Sequence, residues 1–101
     1  MALSPAQRSA LFEALESRSW FYRESFIYAP NQTMWLLVAE PWQADLAEFH
    51  ERMAGRKERI IKNAGFHDNQ EQHKNVVSDI TSLIESIESL LPPVAVNEDI
   101  V

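Results

Sequence analysis

No cysteine occurs among the 101 residues, which removes disulfides, thiolate nucleophiles and thiolate metal ligands together. Glycine is nearly as scarce, with only Gly55 and Gly65, and no glycine-rich phosphate loop or dinucleotide fingerprint is present. Ser78, Ser82, Ser86 and Ser89 lie along an expected helix, without the glycine-flanked turn that presents a serine nucleophile. No apolar run approaches the roughly 18 residues of a membrane span, and the opening MALSPAQRSA has neither a basic stretch nor an apolar one. A cytoplasmic setting without membrane contact is therefore expected. Repeats and low-complexity stretches are missing as well. One small α+β domain is expected over residues 1–93, with a flexible acidic tail over 94–101.

Positive charge is in short supply and unevenly placed. The net charge is −6, but residues 1–51 hold three arginines against seven carboxylates and residues 63–101 hold Lys74 against seven. Between them, Arg52, Arg56, Lys57, Arg59 and Lys62 face Glu58 alone. Repulsion from the acidic arms argues against nucleic acid as the main partner, because phosphate binding draws on a broader basic field.

Aromatic residues are concentrated instead of scarce: seven of the ten lie between Trp20 and Trp42. Ser4, Pro5 and Gln7 form a helix start, with a capping box and proline at the first helical position. Leu11, Phe12 and Leu15 mark the buried face of this first helix, which should run to about Arg18. Phe21–Tyr28 and Thr33–Ala39 then read as two strands of one β-hairpin, joined by the turn Ala29-Pro30-Asn31-Gln32. Met34, Leu36 and Val38 fall on one face, Trp35 and Leu37 on the other. Asn31-Gln32-Thr33 also fits a glycosylation pattern, for which a polar turn is the favoured reading.

Pro41 is expected to open a second helix, whose seam is Trp42, Leu46, Phe49, Met53 and Ile60, with Gly65 and Phe66 as its stop. Asp68 and Glu71 suggest a capping box for a third helix, with Val76, Ile80, Leu83, Ile87 and Leu90 on one seam, broadened by Val77, Ile84 and Leu91. Pro92-Pro93 ends it. The two long helices should fold back as an antiparallel pair, with Phe49 near Ile84 and Met53 near Ile80. The expected order is helix, β-hairpin, long antiparallel two-helix hairpin.

Chemistry finds little support in this pattern. His50-Glu51 begins like a zinc-protease helix, but Ala54 stands where the second histidine would be. His67 and His73 flank the expected cap, where the carboxylates already serve the backbone. Carboxylate pairs such as Glu48/Glu51 and Glu85/Glu88 read as solvated charge. No catalytic residue, metal site or cofactor is assigned, and no enzymatic activity is expected.

Binding is the expectation that remains. Trp20, Phe21, Phe26, Trp35 and Trp42 should mostly be core, since a small domain needs large side chains to bury enough area. Tyr22, Tyr28 and one tryptophan, here Trp35, would be left at the surface beside Arg23 as an interface hot spot. Arg52, Arg56 and Arg59 form a stripe beside the apolar seam, which either pairs with carboxylates such as Asp79 and Glu71 or docks an acidic partner. The expected function is a protein-binding module: a small acidic regulator, inhibitor or adaptor of the bacterial or phage accessory kind, with another protein as partner, an acidic one among the candidates, and forming a homodimer through the hairpin edge. The alternative is a structural subunit of a homo-oligomer, supported by the width of the third helix's apolar face.

Overall fold

The computed structural model describes residues 3–39, 45–63 and 70–91. Within them the order is α1 (Pro5–Ser17), β1 (Phe21–Arg23), β2 (Phe26–Tyr28), β3 (Trp35–Leu37), α2 (Leu46–Lys62) and α3 (Gln70–Glu88). This is an α+β arrangement in which the last two helices pack together, as expected. Trp42, the Gly65-Phe66 stop, His67, Asp68, Pro92-Pro93 and the tail 94–101 lie outside the described residues.

Helix α1 begins as its local chemistry dictates. Gln7 N–H donates to Ser4 Oγ at 3.1 Å and Ser4 N–H to Gln7 Oε1 at 3.0 Å, so two orphan donors are satisfied reciprocally. Its end is a Schellman turn: Trp20 N–H reaches Leu15 O and Ser19 N–H reaches Glu16 O, both at 3.0 Å. Ser19 carries the left-handed conformation this turn requires, with φ 73°. The following side chain, Trp20, is buried with Leu15 in the core, which supplies the apolar contact that accompanies such a stop.

The sheet departs from a single hairpin. It has three antiparallel strands in the order β1-β2-β3, because the expected first strand turns back on itself at Glu24-Ser25. Glu24 adopts φ 57° to make that two-residue loop, a conformation usually supplied by glycine or asparagine. The second turn forms as expected, with Gln32 N–H bonded to Ala29 O at 2.9 Å around Pro30 and Asn31. Cross-strand partners are Phe21, Tyr28 and Trp35 in one row, Tyr22, Ile27 and Leu36 in the next, and Arg23, Phe26 and Leu37 in the third.

Helix α2 starts later than Pro41 suggested. Asp45 is extended (φ −79°, ψ 172°) and its carboxylate accepts from Glu48 N–H at 2.8 Å, so the first helical residue is Leu46. His50 Nε2 lies 2.9 Å from Glu88 Oε2, which sets the start of α2 beside the end of α3, the antiparallel arrangement expected. Phe49, Met53, Ile80 and Ile84 all join one core cluster. Helix α3 is central, packing against α2 and also against α1. Of the residues that broaden its apolar face, Ile84 is buried in the core and Leu91 packs against it, while Val77 is half-buried.

The loop after β2 is held to α3 by a buried carboxylate. Asp79 is 1% exposed. Its Oδ1 accepts from Asn31 N–H (3.2 Å) and Asn31 Nδ2 (2.9 Å), and its Oδ2 from Thr33 N–H (3.3 Å) and Thr33 Oγ1 (2.6 Å). A carboxylate away from water requires such donors, and here a loop supplies all four in place of a cation. Asp79 is therefore not the partner of the α2 arginines that its spacing had suggested. The same bonds occupy the Asn31 amide, consistent with a turn role for Asn31-Gln32-Thr33.

Candidate functional site

Strand alternation puts Tyr22, Ile27 and Leu36 on the face turned to the helices, and leaves Phe21, Arg23, Phe26, Tyr28, Trp35 and Leu37 on the other. Ile27 and Leu36 are fully buried, which identifies the inner face. Trp35 is 56% exposed and Leu37 50%, and Phe21 is also exposed. Of the described aromatics between Trp20 and Trp42, Trp20 alone is buried in the core. Phe21, Phe26 and Trp35 belong to the outer face, because both faces of these strands are apolar and the helices cover one of them.

The outer face is ordered by its own contacts. Phe21 stacks on Tyr28 with ring centroids 5.6 Å apart and planes 23° from parallel. Tyr28 also meets Trp35 at 6.5 Å and Phe26 at 6.1 Å, so it is the centre of a four-ring cluster. Such pairs contribute about 0.5–1.5 kcal/mol beyond the area they bury, which fixes the rings as a preformed surface. Arg23 stands in the row with Phe26 and Leu37, and no hydrogen bond or ion pair engages its guanidinium among the described residues. Aromatic side chains beside an available arginine match the composition of interface hot spots.

Of the residues expected to bind a partner, the fold brings Arg23, Tyr28 and Trp35 together. It separates Tyr22, which points to the opposite face and meets Phe12 of α1 edge-on at 5.9 Å. Its phenol is raised above the ordinary value, first by partial burial and then by the negative charge of Glu16. Phe21, Phe26 and Leu37 are members of the outer face that the sequence reading left out. The alternation that would have found Phe21 and Phe26 is hidden by the unannounced turn at Glu24-Ser25, whereas Leu37 already shared a face with Trp35 in the sequence pattern.

Arg52, Arg56 and Arg59 are on α2, which packs chiefly on α3. Arg52 pairs with Glu48 on its own helix at 3.2 Å, an exposed i,i+4 contact that contributes at most about 0.5 kcal/mol. Arg56 and Arg59 make no ion pair or hydrogen bond among the described residues. The guanidinium of Arg59 folds back toward Gly55.

An open hollow of about 390 Å³ lies at one end of the sheet, lined by Glu24, Ser25, Leu37, Val38 and Ala39. It brings one carboxylate and one hydroxyl to walls that are otherwise apolar, short of the several converging polar groups of a small-molecule site. Among the described residues no three histidine or carboxylate side chains are grouped as metal ligands, and no helix is long and apolar enough to cross a membrane. No protein-family model matches the chain, and neither a curated protein nor a solved structure matches it significantly.

Proposed function

We propose that this protein is a non-enzymatic binding module that engages another protein through the outer face of its sheet. The observation that carries the reading is the cluster of Phe21, Phe26, Tyr28 and Trp35, flanked by Leu37 and Arg23, on the sheet face that no described helix covers. Contiguous apolar faces of this kind are disfavoured on monomers in water, and they are retained where a partner covers them. A rigid two-torsion side chain such as tryptophan or tyrosine also loses little conformational freedom on docking. The Arg56 and Arg59 guanidiniums, without carboxylate partners among the described residues, add a second, electrostatic contribution that suits an acidic partner and speeds encounter. A regulator, inhibitor or adaptor of the cytoplasm is the role these surfaces fit.

The test is differential capture followed by reconstitution. A partner recovered by the wild-type protein is purified and titrated by calorimetry against Trp35→Ala, Tyr28→Ala and Arg56→Glu. Hot-spot truncations cost ~2 kcal/mol or more, so the two aromatic variants should bind at least about thirty-fold more weakly. Arg56→Glu should bind more weakly by a factor that shrinks as salt rises. Unchanged affinity in both aromatic variants would overturn the reading.

A further inference from the structure

The two edges of the sheet differ in what their backbones offer. Ala29 N–H bonds to Met34 O at 3.1 Å, and Val38 N–H to Ser25 O at 2.9 Å. Antiparallel hydrogen-bonded pairs alternate, so Met34, Leu36 and Val38 direct their backbone groups to β2. Trp35 and Leu37 then direct their N–H and C=O groups away from the sheet. On β1 the phase is opposite: Phe21 and Arg23 bond to Tyr28 and Phe26 across the tight turn, and Tyr22 alone faces outward. Tyr22 is also the residue whose ring is held by Phe12. Among the described residues, β3 is the edge able to extend the ladder.

We propose that β3 is a self-association edge, at which a second copy of the chain adds antiparallel about a two-fold axis through Leu36 to give a continuous six-stranded sheet. In that register Trp35 lies opposite Leu37 of the second copy, and Leu37 opposite its Trp35, as hydrogen-bonded pairs with all four side chains on the outer face. Both are at least half exposed, because each lacks a cross-strand neighbour on the edge side. Electrostatics favours a second copy here. Each chain carries −6, so two chains repel unless they meet where charge is absent, and residues 25–39 contain no charged side chain. The lysines, inward charges or prolines that usually blunt a free edge are missing from β3. Pairing doubles the outer face into one platform without covering it, so it is compatible with the partner binding proposed above and does not depend on it.

Two three-residue strands make a small contact, so the dimer is expected to dissociate between roughly micromolar and millimolar concentration instead of being obligate. Sedimentation equilibrium over a concentration series that reaches about 1 mM tests this. The wild-type mass should rise from 11.6 kDa toward twice that value. Leu37→Lys and Trp35→Lys should remain monomeric, their dissociation constant raised at least about ten-fold, with melting curves confirming the fold. Phe21→Lys changes the same face at the opposite edge and should dimerise as wild type does. A wild-type protein that stays at 11.6 kDa throughout overturns the proposal, as does wild-type-like dimerisation of both edge variants. Loss of the dimer in Phe21→Lys overturns it too, since that would assign association to packing of one outer face on another.

Discussion

Replacing Asp79 should unlock the β2–β3 loop from α3 at a cost large for a domain of this size. The side chain is 1% exposed and receives four donors, two from Asn31 and two from Thr33. Hydrogen bonds to a charged group contribute about 1.5–3 kcal/mol each, but the desolvation of one carboxylate is charged against all four, so the net is well below their sum. Asp79→Ala removes the acceptor shared by these neutral donors, a loss of about 1–3 kcal/mol. Asp79→Asn keeps the shape but turns an NH2 group toward one pair of donors, and a loss of about 2–3 kcal/mol is expected. Small domains have about 5–15 kcal/mol in all. Urea unfolding followed by circular dichroism reads the change directly: with a slope of about 1–1.5 kcal/mol per molar, Asp79→Asn should lower the midpoint by about 2 M. A change below about 0.5 kcal/mol in Asp79→Asn, or a gain in stability, would refute the view that this carboxylate anchors the loop.

Other consequences follow from single positions. Ser19→Gly should stabilise the protein by about 0.5–1 kcal/mol, seen as a higher melting temperature, because Ser19 holds φ 73° at the end of α1 where glycine has no steric penalty. Gly55→Ala should stabilise by a similar ~0.5–1 kcal/mol, since Gly55 lies inside α2 and the nearest atom to an added Cβ is Arg59 Nη1 at 3.9 Å. Ser82→Ala should cost about 1–2 kcal/mol in chemical unfolding, because the indole N–H of Trp20, which is 2% exposed, donates to Ser82 Oγ at 3.0 Å and would lose its acceptor. Trp35→Ala should change stability by no more than about 1 kcal/mol despite the size of the deletion, as the ring is more than half exposed; a loss of 3 kcal/mol or more would return Trp35 to the core.

What could be read from the sequence was what local chemistry decides. Ser4 and Gln7 are three residues apart and carry their own cap, and Pro30-Asn31 announces its turn. The amphipathic seams of α2 and α3 needed only periodicity to show that they pair. Other features escaped for identifiable reasons. Glu24-Ser25 turns the chain without glycine or asparagine, so two short strands looked like one. Strands apolar on both faces do not reveal which face is inner, and Phe21 and Phe26 were expected in the core when the helices in fact cover Ile27 and Leu36. Pro41 overshadowed Asp45, although Asp45 and Glu48 stand at capping distance. Asp79 looked like an ordinary polar helix position, since the donors it meets lie 46 and 48 residues earlier in the chain.

The outer face is thus an arrangement of tertiary origin, in which Phe21 and Phe26, expected in the core, join the expected surface residues Arg23, Tyr28 and Trp35. Its role is tested most directly by the footprint of a bound partner. Hydrogen–deuterium exchange on the complex should show protection gained over Phe21–Tyr28 and Trp35–Leu37, with little change along α1. Protection confined to the Arg52–Lys62 stretch of α2, with the sheet exchanging as in the free protein, would contradict the assignment of the aromatic face as the binding surface.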